Sequence, residues 1–556
     1  MPRDTLVPEG AAPRLADTVH IEPAAGGERW LVSVDGVPVS RASSTVAAML
    51  RAMDGEARLD ELRRRFASTQ TPEEFAALIE RFGRAGLLHG SERRAAGRFT
   101  YRPPLTIQFA TLRAPGLFDR LHRFIRPVLR GWLVWPLAAL IVGGLAALVL
   151  QASDVAAALT SPLPLVDVLG VALVLVTATF VHESAHGVTL AHGGGRPRRA
   201  GVMLLYLGPA FFVDVTDAWR LPSRASRVRV ALAGPAVHAA LAGVAALCAL
   251  AAPDPGTRRA LLVLSCACVA VVALNLLPFV RFDGYIALMS ALDEPNLRGR
   301  TMADAADALR RVLFGGASAP RALNRWWSVP FGILSAVVPS ALVCAALERA
   351  VRGLAGTGPG GAVVVLVLEA VVVAAVGTLV VRWLAGGWTR GRGRSRFVLV
   401  SAALVAAVVC AAAAIPVGDA RTVGFTTADD RIELVVPVGS ADDRALPDGL
   451  PVDLMTSGIV AEVVVARGVV QPAPSRTTTA PLTAFSPVEV RGVAADVRVI
   501  GAVDAPAGAV PAAGRAVVHL GSRSLLEAVW ATHVVEPAST LLSLLDPPTS
   551  EPKEAR

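Results

Sequence analysis

TATFVHESAHGVTLAHGGGRPRRA, residues 177–200, closes an apolar run that begins near residue 166. That run is long enough for one helix to cross ~30 Å of hydrocarbon. On such a helix His182 and His186 stand four residues apart on one face, so both imidazoles can reach a single metal ion, with Glu183 beside them. Two histidines and a glutamate are costly in hydrocarbon and call for a functional reason. The spacing suits zinc, which brings the pKa of a bound water toward ~7, where a carboxylate can take its proton and leave a hydroxide nucleophile. The stretch therefore implies a metal-dependent hydrolytic centre set in a membrane span.

Six further apolar runs lie at 132–151, 226–252, 259–280, 327–348, 362–384 and 397–416. With 53% hydrophobic residues and a mean hydropathy of +0.53 over 556 residues, the chain is too apolar for ordinary soluble domains. The expected fold class is a polytopic α-helical membrane protein of about seven spans, with a soluble domain at each end. The lipid bilayer is thus an expected partner. The N-terminus carries acids and no apolar core, so it reads as neither a signal nor a transit peptide.

The net charge of +9 rests on arginine, because Lys553 is the single lysine. That excludes a P-loop ATPase and a Schiff-base lysine in the core. All five cysteines fall in apolar spans, which argues against a disulfide framework or a thiolate zinc site. The arginines cluster beside the spans, in loops 120–130, 196–224, 281–325 and 390–396. These are alternate loops, so the charge reads as topology and not as a nucleic-acid surface. The N-terminus and the HESAH end of the second span are expected in the cytoplasm of a bacterial cell, and everything after the seventh span outside its plasma membrane.

Two ligands are too few for a catalytic metal, and two residues could supply the third. His192 stands ten residues after His182, a metzincin-like offset, but the bend that motif needs would require glycine where Thr189 stands. Asp283 follows the fourth span in LNLLPFVRFDGYIALMSAL, and that span runs in the same direction as the second. Both sequences therefore arrive at the same membrane edge.

A HExxH at the inner end of one span and an NxxPxxxxDG at the inner end of a later one resemble the paired signature of site-2-protease-like intramembrane zinc metalloproteases. Here the second half is Asn275, Pro278, Asp283 and Gly284. The resemblance implies that His182, His186 and Asp283 hold the metal, with Glu183 as the catalytic base. It also implies that Asn275 binds substrate backbone or a developing oxyanion; capping of a helix broken at Pro278 is the alternative. The apolar stretch 202–213 is too short to cross and reads as a re-entrant loop or β-hairpin lining the cleft. Asp214, Asp217 and Trp219 read as anchors of that loop. The family's GPxxN becomes Gly234-Pro235-Ala236-Val237-His238, and packing is the expected role of His238. Glu369, inside the sixth span, is expected to pair with an arginine or polar group in the bundle.

Residues 1–105 read as a winged-helix-like α+β domain. A hairpin over 30–40 turns at Asp35-Gly36, and three amphipathic helices follow, one capped by Ser43 or Ser44 and one opened by Thr71-Pro72-Glu73-Glu74. The pattern VSRASSTVAAMLRAMDGEARLDELRRRF, closing in ERFGRAGLLHG, resembles PqqD-like elements that bind the leader of ribosomally made, modified precursor peptides. Residues 106–416 form the expected membrane protease domain. Residues 417–540 read as a β-rich extracytoplasmic domain, whose GRAVVHLGSRSLLEAVW ending weakly resembles HlyD-type adaptors, and 541–556 as a disordered tail.

Together the parts resemble the YydH-like and daptide-type proteases of peptide maturation. That resemblance implies hydrolysis of the bond between leader and core in a precursor peptide, with peptide-modifying enzymes or an exporter as further partners. The competing expectations are a regulatory intramembrane protease that cuts a single-span protein, or an inactive adaptor beside an exporter.

Overall fold

The computed structural model describes residues 12–23, 30–91, 97–102, 106–111, 113–127, 131–205, 208–315, 321–323, 325–354, 359–390, 393–428, 431–440, 444–505 and 510–542. The chain divides into two compact units. The first comprises Met1–Ala147, Leu173–Ala251 and Leu264–Leu297, and the second Leu148–Ala172, Ala252–Val263 and Arg298–Arg556. The stretch 543–556, which holds nearly all of the expected disordered tail, lies outside the described residues.

The first unit opens with three antiparallel strands, β1 (Val19–Pro23), β2 (Trp30–Val34) and β3 (Val37–Ala42). Asp35 and Gly36 both take positive φ, 50° and 70°, as a tight hairpin turn requires. Helices α1 (Ser44–Arg51), α2 (Leu59–Phe66) and α3 (Pro72–Arg84) follow. Ser43 caps α1 by accepting from the Val46 N–H, and Thr71 and Glu74 form a capping box on α3. Val32, Met49, Leu50, Met53, Leu62, Phe75, Ile79 and Leu87 are buried between sheet and helices. Each such large side chain contributes ~1.5–3 kcal/mol on burial. After α3 the chain returns to this layer through an isolated bridge between Leu88 and Leu15.

Strands β4 (Phe99–Arg102) and β5 (Thr106–Thr111) straddle the expected boundary at residue 105 and belong to a different sheet. After α4 (Ala114–Ile125), α5 (Val134–Leu150), α6 (Ala152–Thr160), the two-residue β6 (Leu163–Pro164) and α7 (Leu165–His192) comes the hairpin of β7 (Ala200–Leu205) and β8 (Gly208–Val213). Its pairing gives an antiparallel sheet in the order β4-β5-β7-β8, with Phe109 opposite Val202 and Val202 opposite Phe211. The stretch anticipated as a loop or hairpin is thus a hairpin extended by two strands from the N-terminal side. Among the described residues β4 and β8 are its two edge strands.

Helices α8 (Arg224–Ala251), α9 (Pro255–Asn275), α10 (Asp283–Leu292), α11 (Leu297–Phe314), α12 (Ser328–Leu354), α13 (Pro359–Arg390) and α14 (Arg394–Ala414) complete the helical part. Seven helices among the described residues are long and apolar enough to cross a membrane, close to the bounds expected from hydropathy. The fourth ends at Asn275, short of the expected 280, because Pro278 cannot continue the ladder. Half of the apolar window of α8 is buried, against 11% or less for α5, α7, α12, α13 and α14. Exposed Val142, Leu173, Val176, Val373 and Leu399 on those helices give them the apolar surface that lipid requires.

In the second unit, β9 (Pro416–Ala428), β10 (Arg431–Pro437), β11 (Pro451–Met455), β12 (Val464–Gln471), β13 (Thr477–Pro481), β14 (Val488–Glu489), β15 (Ala494–Asp504) and β16 (Ala513–Ser524) follow the last span. The sheet order β10-β9-β16-β11-β12-β15 closes through pairing of β10 with β15, with β13 added on β15. This is a β-barrel, and Phe425, Leu434, Leu454, Val470, Ile500 and Val518 fill it. The β-rich stretch stops at Ser524, earlier than the expected 540. Ser524 and Glu527 form a capping box that starts α15 (Leu525–Trp530), a π-turn over 531–535 and α16 (Glu536–Leu542). This helical segment packs on α13 and α14. There His533 Nδ1 donates to Glu369 at 2.5 Å, while its Nε2 lies 3.6 Å from Glu348. Glu369 therefore has a polar partner in the bundle, as expected, but the partner comes from beyond the barrel.

Candidate metal centre

Helix α7 presents His182, Glu183 and His186, each bringing one ligand atom within 4.8 Å of the others. Both histidines are 5% exposed, which is dry enough for an ion to hold them without competition from bulk water. Their Nε2 atoms face each other at 3.3 Å. Such close approach of two rings needs room on the facing helix, and α8 supplies it at Gly234. A Cβ there would meet both Nε2 atoms at 2.4 Å.

The other ring nitrogen of each histidine is anchored to α8. His186 Nδ1 lies 2.7 Å from the Val230 carbonyl, which can only accept, so Nδ1 carries a proton, and it is the neutral form of the ring that would turn a bare Nε2 to a metal ion. His182 Nδ1 lies 3.1 Å from Nδ1 of His238, which is 1% exposed and has no partner at Nε2 among the described residues. Orienting contacts of this kind are what metal-binding imidazoles ordinarily show behind their ligand atoms.

Asp283 completes the cluster. Its Oδ2 is 3.0 Å from His182 Nε2 and its Oδ1 3.3 Å from His186 Nε2. The chain reaches this point because α9 ends at Asn275, the Pro278 segment breaks the helix, and α10 restarts at Asp283. Gly284 permits the return, since a Cβ there would lie 2.3 Å from the Leu276 carbonyl oxygen. Burial alone would raise the Asp283 carboxyl. Hydrogen bonds and charge from His182 and His186 outweigh it and hold the pKa at about 2, so this group is an anion at neutral pH.

Glu183 is a quarter exposed, with Oε1 4.0 Å from His182 Nε2. Its Oε2 accepts from the backbone N–H of Val213, the last residue of β8, at 3.2 Å. The carboxylate thus stands between the histidine pair and the open edge of a sheet. Two imidazole nitrogens and a carboxylate, with a second acid nearby, are the donor types that catalytic zinc takes.

Of the two candidates for a third ligand, Asp283 is brought to the histidines. His192 is not, and its Nδ1 lies 3.1 Å from Nε2 of His122 on α4. Asn275 ends α9 and donates its Nδ2 to the Val271 carbonyl at 2.9 Å, a contact within its own helix. Asp214 accepts from the Thr216 N–H and hydroxyl, and Asp217 from the Arg196 N–H, so both acids tie down the loop after β8. His238 is buried, as expected of a packing residue, but it also touches His182. In the sequence it stands one turn after Gly234, but that this face of α8 meets α7 is visible only in the fold.

No family profile matches this chain, and neither a curated protein nor a solved structure does.

Proposed function

We propose that this chain is a membrane-embedded zinc metallopeptidase of site-2-protease-like type, with His182, His186 and Asp283 as metal ligands and Glu183 as general base. The observation that carries the proposal is the convergence of two Nε2 atoms and both oxygens of one carboxylate within 3.0–3.3 Å. Structural zinc would not need Glu183, and its presence at 4.0 Å favours hydrolysis. When bound, zinc supplies Lewis acidity that polarises a carbonyl and acidifies water. The chain's own part is to hold Glu183 through the Val213 N–H, so that Oε1 can take the proton of an attacking water and pass it to the leaving amine. Asn275 is a candidate to steady the substrate backbone or the oxyanion if its amide turns from Val271.

An extended peptide can add to the free edge of β8, which brings main-chain carbonyls beside Glu183. A leader peptide is the favoured substrate, because the PqqD-like pattern occupies the N-terminal layer, where β1 and β3 are both sheet edges. On the positive-inside pattern, this domain and the metal centre share the cytoplasmic side of a bacterial plasma membrane, and the barrel lies outside.

The test is cleavage by the full-length protein in lipid nanodiscs, with zinc, of a leader-bearing precursor peptide and of a single-span helical protein. Cleavage of the precursor between leader and core, lost in Glu183→Gln, supports the proposal. Cleavage of the helical anchor alone would make it a regulatory intramembrane protease, and cleavage of neither, with full peptide export retained in Glu183→Ala cells, an exporter-associated adaptor.

A further inference from the structure

Asp293 ends α10, the helix that Asp283 begins. It takes the left-handed conformation at φ 56°, and its backbone N–H closes the helix on Ser290. Its carboxylate receives guanidinium groups from two directions. Arg41 Nη1, from β3 of the N-terminal layer, lies 2.5 Å from Oδ1, and Arg227 Nη2, from α8, lies 2.6 Å from the same oxygen. The side chains of Arg41 and Arg227 are only 8% and 4% exposed. Both stack on the ring of Trp219, with Cζ 5.2 and 5.4 Å from its centroid, and Arg41 also donates to the Trp219 carbonyl. Two buried cations therefore share one anion and one aromatic ring. Neither the anion nor the contact with β3 can be lost without leaving a charge poorly compensated.

What this cluster connects is specific. Arg227 precedes by one turn of α8 the Val230 carbonyl that anchors His186. Asp293 stands at the far end of a single 10-residue helix from Asp283, about 15 Å away along a rigid rod. Trp219 lies in the turn after β8, whose last N–H holds Glu183. One residue of the N-terminal layer thus braces the elements that carry the third ligand, a ligand anchor and the support of the base.

We infer that Arg41 is a positioning residue for the metal centre: by holding Asp293 against Arg227 it fixes the placement of α10, and so of Asp283, from the N-terminal layer. The inference rests on the proposed metal site and deepens it. The N-terminal domain becomes part of what makes the site bind metal, and a peptide strand added at the β3 edge would act directly on this contact.

A different contact between the same parts provides the control. Arg198 donates to the backbone carbonyls of Asp35 and Gly36 at the β2–β3 turn, and so docks the layer with no hydrogen bond or ion pair to α8 or α10 among the described residues. In full-length protein in nanodiscs, zinc affinity is measured by chelator competition, and the visible spectrum of the cobalt(II)-loaded form reports ligand geometry. Arg41→Met is expected to weaken zinc binding about tenfold, at the low end of what outer contacts of a metal site contribute, and to shift the cobalt bands. Arg41→Gln, a second variant should the first not fold, carries the same expectation, and Arg41→Lys should restore much of both signals. Arg198→Met should leave both as in the unaltered protein. Unchanged affinity and spectrum in Arg41→Met, or an equal change in Arg198→Met, overturns the inference while leaving the metal site standing. Unchanged zinc binding in Asp283→Asn removes Asp283 from the ligand set of the proposed site, and the inference falls with that assignment.

Discussion

Oδ2 of Asp283 lies 3.0 Å from Nε2 of His182, although 101 residues separate them in the chain. A contact over that distance exists only because α9 breaks at Pro278 and α10 turns back toward α7. Removing the carboxylate's charge without changing its shape tests what the contact is for. Asp283→Asn is expected to lower zinc affinity by more than the roughly 10–100-fold typical of outer-shell partners, read by chelator competition. Wild-type affinity in this variant would remove Asp283 from the ligand set.

Glu183 is assigned to proton transfer and not to holding the metal. Glu183→Gln should therefore keep its zinc while peptide cleavage falls by about 10²–10⁴, the usual contribution of a general base. Metal content and turnover on the same preparation check this, and parallel loss of both would make Glu183 a ligand.

Gly234 faces two imidazole nitrogens at a distance no side chain allows. Gly234→Ala is expected to cost about 1–3 kcal/mol from overpacking and to weaken zinc binding sharply. Gly377→Ala is the comparison, because a Cβ at that point of α13 meets open space. Thermal unfolding and zinc titration of the two variants should separate clearly; equal behaviour would mean that α8 does not shape the site.

His238 contacts His182 through ring nitrogens 3.1 Å apart. If this bond fixes which nitrogen of His182 carries the proton, His238→Leu should weaken zinc binding by roughly 10–100-fold. A role limited to packing would instead lower the unfolding temperature and leave affinity intact.

His533 and Glu369 join the segment after the barrel to α13 at 2.5 Å. A double-mutant cycle of His533→Ala and Glu369→Gln is expected to give a coupling of about 0.5–3 kcal/mol in thermal unfolding. Additive effects would show that the segment is held by its apolar contacts alone.

Much of this was legible in the sequence for a physical reason: helices apolar enough to cross a membrane and side chains clustered so that they could hold a metal both constrain residue type at fixed spacing. Seven apolar runs, the i,i+4 histidines on α7 and the Pro278–Asp283 break each leave a local mark. The hairpin at Asp35-Gly36 and the cap at Thr71 did so too. What escaped was set by long-range pairing. Nothing near Phe99–Thr111 shows that it will pair with β7, since alternating residues fit either sheet. His238 differs from an ordinary buried histidine only by what α7 brings to it. The end of the barrel at Ser524 is marked locally only by the Ser524–Glu527 capping box, a short signal beside the Val-rich strands that precede it. Arg41 and Asp293, 252 residues apart, carry no signal until both ends are in place.

Zinc K-edge X-ray absorption on the purified full-length protein bears on the metal centre most directly. The His182–His186–Asp283 assignment predicts about one zinc per chain with nitrogen and oxygen neighbours at ~2.0–2.2 Å and two imidazoles, a signal lost in His182→Ala and His186→Ala. A protein that binds no zinc, or one whose zinc has sulfur neighbours or survives both substitutions, would contradict it.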